Sequence, residues 1–185
     1  MTEQIEHEIK LPYDSPSAAR QAVVDTGAKP LRPRRLQSDF LLDHDVRPLS
    51  DHMNTLRVRF DGDHSYVTFK GKPQLGITKA REELETVVGD ASTLLLLFER
   101  LGFRIWFRYQ KYREEFRHGD LVIAIDESPI GTFIELEGPE SDILSMATIL
   151  KRHSTDFILD SHLALFRQHC SDTGSPTTHM LFNEP

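Results

Sequence analysis

Charged residues recur at alternate positions in several strand-like stretches of this chain. In Glu6-x-Glu8-x-Lys10, two carboxylates and an ammonium group alternate with His7 and Ile9. Side chains alternate between the two faces of a strand, so these three point one way and Ile5, Ile9 and Leu11 the other. The same phase returns in Arg57-x-Arg59, Lys70-x-Lys72, Arg81-x-Glu83-x-Glu85, Lys111-x-Arg113 and Glu135-x-Glu137, and Asp126 ends a further stretch of this kind. Taken singly, each is a half-buried strand with its charged face in water. Their recurrence along the chain argues that the charged faces meet. Arginine grips an anion bidentately and lysine as a point charge, which suits a chain of phosphates. Clustered carboxylates suit Mg2+ or Mn2+, which take oxygen ligands. Phosphate, divalent cation and water are the ingredients of metal-assisted phosphoryl chemistry.

The elements that carry these residues follow from pattern and punctuation. Residues 5–11 read as a first strand. Ser15-Pro16 caps a helix that stops near Gly27. Residues 29–35, rich in cations and prolines, read as a solvated basic loop before a strand over 36–43. Strands follow at 56–60, 66–72, 79–88, 104–116, 121–126 and 131–138, with turns at Asp61-Gly62-Asp63 and Arg117-His118-Gly119-Asp120. A helix over 91–101 holds the run Leu94, Leu95, Leu96, Leu97 and reads as buried on more than one side. Two helices, over 141–153 and 160–170, close a single domain spanning 1–170, and the polar stretch 171–185 reads as a flexible tail. The faces opposite the charges are mostly apolar, and apolar helices are present to cover them. The economical arrangement is α+β: a closed antiparallel barrel of about eight strands, charged inside and packed outside by α-helices.

Composition narrows the function. The chain has 185 residues and a net charge of −7, which argues against a nucleic-acid binder. Its single cysteine, Cys170, excludes an internal disulfide and points to a reducing, cytoplasmic setting. No apolar run has the length needed to span a bilayer, so no membrane partner is expected. There is no glycine-rich phosphate loop, so side chains would have to hold any phosphates.

The ordered set of motifs resembles the CYTH domain proteins, or triphosphate tunnel metalloenzymes. Their hallmark is an N-terminal Glu-x-Glu-x-Lys strand, matched here by Glu6, Glu8 and Lys10. The resemblance continues through Arg57-x-Arg59, Lys70, Arg81-x-Glu83-x-Glu85, Lys111-x-Arg113, Asp126 and Gly131-x-Phe133-x-Glu135-x-Glu137. The second strand departs from it. Gln37-Ser38-Asp39-Phe40-Leu41 stands where family members often carry Gln-x-Asp-x-Tyr, and Leu41 brings no phenol.

The resemblance implies an eight-stranded antiparallel tunnel that binds a triphosphate. Lys10, Arg57, Arg59, Lys70, Arg81, Lys111 and Arg113 would grip the phosphates. Glu6, Glu8, Asp126, Glu135 and Glu137 would hold Mg2+ or Mn2+, and Glu6, Glu8 and Lys10 would form the catalytic centre. Lys72, Glu83 and Glu85 would either share this work or pair internally. The implied activity is divalent-metal-dependent hydrolysis of a triphosphate, either inorganic tripolyphosphate or an organic triphosphate such as ATP. The alternative is a class IV adenylyl cyclase, which forms cyclic AMP and pyrophosphate from ATP. A polyphosphate- or nucleotide-binding module without catalysis is a third reading, and RNA 5′-end processing a fourth that the acidic composition opposes. The expected partner is a small triphosphate-bearing molecule, and the expected assembly a monomer or homodimer.

Overall fold

A computed structural model describes residues 5–182. Its elements, in chain order, are β1 (Ile5–Tyr13), α1 (Pro16–Asp25), β2 (Lys29–His44), β3 (Thr55–Asp61), β4 (His64–Lys70), β5 (Gln74–Leu75) and β6 (Lys79–Val87). After these come α2 (Ala91–Arg100), β7 (Phe103–His118), β8 (Leu121–Ser128), β9 (Gly131–Glu137), α3 (Glu140–Ile149) and α4 (His162–Thr173). The strands pair in the order β1-β9-β8-β7-β2-β3-β4-β6, and β1 pairs with β6 to close the ring. Every pairing is antiparallel, and β5 adds a two-residue edge to β6. The result is the expected closed eight-stranded barrel, charged inside, with its four helices outside.

Period-two patterning sets which side faces out. Ile9 and Leu11 of β1, Ile123 and Ile125 of β8, and Ile134 and Leu136 of β9 are buried with Ala19 and Val23 of α1 and Ile143 and Met146 of α3. Each of these side chains larger than alanine contributes about 1.5–3 kcal/mol when removed from water. Ser15 caps α1 as expected, its hydroxyl accepting from the Ala18 amide at 3.2 Å. Gly62 and Gly119, in the two tight turns, both have φ of 61°, a conformation that favours glycine.

Three parts of the fold depart from the sequence-based expectation. The first is the stretch 29–35, which is strand and not loop. It pairs with β7, and register shifts between Pro30 and Arg32 and between Arg32 and Arg35 accommodate residues that cannot donate to a ladder. Its arginines are not free in solvent: Arg35 Nε donates to Asp61 at 2.6 Å and Arg32 Nη1 lies 2.8 Å from the same carboxylate. The second is α2. Four consecutive residues spread over about 300° of the helix circumference, so they cannot all face one sheet. Leu94, Leu95 and Phe98 pack on Leu42 and Val58, while Leu96 and Leu97 remain 59% and 54% exposed.

The third is the C-terminal segment, expected to be loose. β8 pairs with β7 only from Tyr112 onward, which leaves an open edge on the first half of β7. Met180 fills that edge: its amide donates to Arg108 at 3.0 Å, and its carbonyl accepts from Gln110 at 2.8 Å. Its side chain is buried among Leu41, Phe107 and Phe166. A single added residue pair has no period to read.

Leu136→Ala is expected to lower stability by about 2–5 kcal/mol through the cavity it leaves, and Leu96→Ala by no more than about 0.5 kcal/mol. Urea denaturation of both variants checks this contrast.

Candidate active site

The barrel encloses a cavity of about 220 Å³ lined almost wholly by charged and polar side chains. Strand register decides which charges meet. Lys10 of β1 stands opposite Glu135 of β9, Arg113 of β7 opposite Asp126 of β8, Asp39 of β2 opposite Arg59 of β3, and Lys70 of β4 opposite Glu83 of β6. Each of these is an opposite-charge pair, the arrangement that stabilises facing strands.

One wall is built on Asp126 and Glu135. Arg113 donates from Nε and Nη2 to the two Asp126 oxygens at 2.6 Å each, and from Nη2 to Glu135 at 2.8 Å. Lys111 Nζ donates to Asp126 at 2.7 Å. Burial opposes the charge on Asp126, yet Arg113 and Lys111 hold its pKa well below the usual carboxylate range. Burial likewise opposes Lys10, which Glu135 and Glu8, both 3.2 Å away, keep firmly protonated. On the facing wall, Arg59 donates to Asp39 at 2.8 Å, and Arg57 Nη2 reaches Thr68 at 3.1 Å and Glu85 at 3.3 Å. Lys70 pairs with Glu6 at 3.1 Å and also with Glu83.

Neutralisation is incomplete in two places. Burial and the neighbouring Arg113 push Lys111 down to about 8, and burial and Arg57 do the same to Lys70. These cations carry charge that the surrounding carboxylates do not fully offset. The opposite imbalance occurs at Glu137, which stands directly across from Glu8 in the β1–β9 register; burial opposes the charge on Glu8 as well, yet Lys10 and Lys79 hold it well below the usual carboxylate range. Like charges so placed destabilise a sheet. Burial and the adjacent Glu6, with which Glu137 shares a hydrogen bond, push Glu137 up to about 8. Carboxylate oxygens gathered in this way are the donor type that a divalent metal ion takes.

Residues 4–158 match the sequence model of the CYTH domain. The chain belongs to the CYTH domain family. A presumed adenylate cyclase of Methanocaldococcus jannaschii is 30% identical over 148 residues, covering 80% of this chain and 84% of that protein. Among solved structures, a presumed adenylate cyclase of Vibrio parahaemolyticus superposes with a TM-score of 0.77 at 18% identity, covering 90% of this chain and 99% of the other. A presumed adenylyl cyclase of Hippeastrum, described as having a dominant triphosphatase activity, gives a TM-score of 0.63 at 21% identity, covering 89% and 95%. At those identities the two structures speak for the fold alone.

Within this CYTH domain, the expected residues mostly converge. Glu6, Glu8, Lys10, Arg57, Arg59, Lys70, Arg81, Lys111, Arg113, Glu135 and Glu137 all line the cavity, as do Glu83 and Glu85. Asp126 lies just behind the lining, fully buried. Lys72 does not belong: β4 ends at Lys70, so the strand alternation no longer places it and Lys72 is exposed.

Lys79 and His162 are among the lining residues that the strand pattern of charges did not single out. Lys79 donates to Glu8 at 2.6 Å. It stands two residues before Arg81, in the same phase, so the signal was present. His162, the first residue of α4, places Nε2 3.3 Å from Asp126 and 3.4 Å from Lys111. Burial and Lys111 push it down to about 4, so it is neutral near pH 7. Asp126, Glu135 and His162 bring ligand-type atoms within 4.8 Å of one another, a buried acidic and histidine cluster able to take a metal. Two cations already occupy the Asp126 oxygens, and Lys10 and Lys79 likewise hold Glu8, which leaves Glu6 and Glu137 as the less encumbered donors.

A divalent cation needs ionised carboxylates, and Glu137 keeps its proton below about pH 8. The rise in melting temperature caused by Mg2+ or Mn2+ is expected to grow from about pH 6 to pH 8 and then level off. Glu137→Gln is expected to remove that dependence. Thermal melts across pH check it, and a rise that is flat over this range would count against the assignment.

Proposed function

We propose that this CYTH domain is a divalent-metal-dependent hydrolase of triphosphates, acting on tripolyphosphate or on a nucleoside or other organic triphosphate. The observation that carries this reading is the polarity of one cavity. Positive charge is crowded where Lys70 and Lys111 are buried beside Arg57 and Arg113, and negative charge where Glu137 is buried against Glu6 and across from Glu8. A phosphate chain with a divalent cation relieves both imbalances at once. The buried Nε groups of Arg57 and Arg81 lack acceptors, and phosphate oxygens would supply them.

The residues divide the work. Lys10, Arg57, Arg59, Lys70, Arg81, Lys111 and Arg113 bind phosphate oxygens, with Lys79 alongside them. Asp126 orients Lys111 and Arg113, and Asp39 orients Arg59. Glu6, Glu8, Glu135 and Glu137 would hold Mg2+ or Mn2+, which when bound would offset phosphate charge and polarise the phosphoryl group. Lys10 bridges Glu8 and Glu135 and so fixes the spacing of the carboxylates.

The M. jannaschii relative's name favours a second reading, an adenylyl cyclase. The cavity lining favours hydrolysis. Apart from the rings of Tyr66, Tyr109 and His162, it is built from charged, hydroxyl and amide side chains, and it offers no apolar slot for a base. Purified protein is to be given tripolyphosphate and ATP with Mg2+ or Mn2+. Orthophosphate from tripolyphosphate without cyclic AMP from ATP is the expected result, and the converse would hand the site to the cyclase.

Arg59→Ala is expected to lower kcat/KM by about 100-fold or more, as loss of a charged donor in a closed site does. Arg34→Ala, which removes a half-exposed pair with Glu127, is expected to stay within about threefold. Equal losses would show that the wrong face was chosen, provided melting curves confirm that both variants fold.

Tripolyphosphate affinity is expected to fall as pH rises through about 8, where Lys70 and Lys111 lose their protons in the free protein. Calorimetric titrations from about pH 7 to pH 9 measure it.

A further inference from the structure

The register distinguishes the two ends of the tunnel. Along β2 and β7 the facing pairs run from Arg35 and Arg113, through Gln37 with Lys111 and Asp39 with Tyr109, to Leu41 with Phe107. The wall is charged at one end and apolar at the other. Leu41 and Phe107 keep the inward phase, yet they are buried against Phe166 of α4 and Met180 of the C-terminal segment. The Phe107 and Phe166 ring centroids lie 5.6 Å apart. Met180 is tied down by its two backbone bonds to β7. Around the rest of this end, Thr78, Lys79 and Lys10 are buried. At the opposite end, the side chains of Arg32 and Glu85 are 33% and 38% exposed. Solvent therefore reaches the cavity from the Arg32 side.

We propose that the tunnel is a blind pocket, stopped by Leu41, Phe107, Phe166 and Met180, and that it accepts a phosphate chain only by a free terminal phosphate. The proposal rests on the phosphate-chain reading above and adds the direction of entry. An anion cannot pass the stop, because burying a phosphate among apolar side chains leaves its charge unpaired. An organic group on the inner end of the chain would meet the same apolar layer. Such a group fits only at the mouth, near Arg32 and Tyr66. A chain substituted at both ends, or one that would have to enter by its middle, is excluded. The stop also accounts for Leu41. A phenol at that position would place a hydroxyl inside an apolar seal, where it would need a partner.

Isothermal titration calorimetry on the full chain tests the claim with two probes of equal phosphate count. Adenosine tetraphosphate has one free end, and P1,P4-diadenosine tetraphosphate has none. The second is expected to bind at least about 100-fold more weakly, the loss of two or more charge-assisted contacts.

A mouth block gives an independent arm. In a Cys170→Ser background, Arg32→Cys carrying a bulky maleimide is expected to bind tripolyphosphate at least about tenfold more weakly than the same protein unlabelled. Adding Phe166→Ala and Met180→Ala is expected to restore binding to the labelled protein by opening the far end. If melting curves show that this pair unfolds the chain, Leu41→Ala serves as the opening variant. Equal affinity for the two tetraphosphates, or a labelled protein that binds like the unlabelled one, would overturn the blind pocket. Absence of binding by tripolyphosphate and by both tetraphosphates would instead overturn the phosphate-chain reading itself.

Discussion

Charge placed inside a barrel must be neutralised across strands, and this constraint orders the rest of the molecule. The pairs Lys10–Glu135, Arg113–Asp126, Arg59–Asp39 and Lys70–Glu83 each join neighbouring strands at directly opposed positions. A one-residue slip of any strand would turn its charges outward and its apolar residues inward. The same register that buries Ile9, Ile134 and Ile125 under the helices also seats the ions opposite their partners. Core and interior thus enforce a single alignment, and neither could be satisfied alone.

Where this neutralisation stops short, the chemistry begins. A sheet selected for stability alone would not set Glu8 across from Glu137, nor leave buried guanidinium donors without acceptors. These local violations sit together in one cavity, not scattered over the fold. That is the pattern expected when binding energy for a ligand has been built into the resting protein at the expense of its stability. Asp39, Asp126 and Lys10 belong to a different class. Each is held by ion pairs to neighbouring strands, and in turn holds neighbouring charges in place.

Much of this was legible in the sequence because the strand period is two. Glu6, Glu8, Lys10, Arg57, Arg59, Glu135 and Glu137 announce one face by spacing alone. Lys79 obeys the same rule from the first position of its strand. His162 could not be found that way, since it reaches the tunnel from the first turn of a helix and only tertiary packing brings it there. Lys72 shows the converse: correct phase counts for nothing once the strand has ended. Arg32 and Arg35 were hidden by prolines that read as loop but sit at irregularities of a long strand. The leucine run of α2 specifies hydrophobicity without an angular position, and only packing decides that Leu94 and Leu95 face the sheet while Leu96 and Leu97 do not. Whether Glu8 and Glu137 would oppose each other depended on the pairing of β1 with β9, which no local pattern specifies.

The closure of the ring carries a kinetic consequence. β1 pairs on one side with β9 and on the other with β6, so the first strand remains unsatisfied until most of the chain is available. Its Glu6, Glu8 and Lys10 would meanwhile sit on an exposed, unpaired edge, and charges on such an edge discourage association with other chains. Contacts this distant in sequence make folding slow relative to helical domains of the same size. The residues proposed to bind metal and phosphate therefore have an earlier task, keeping the open strand soluble until its neighbours arrive.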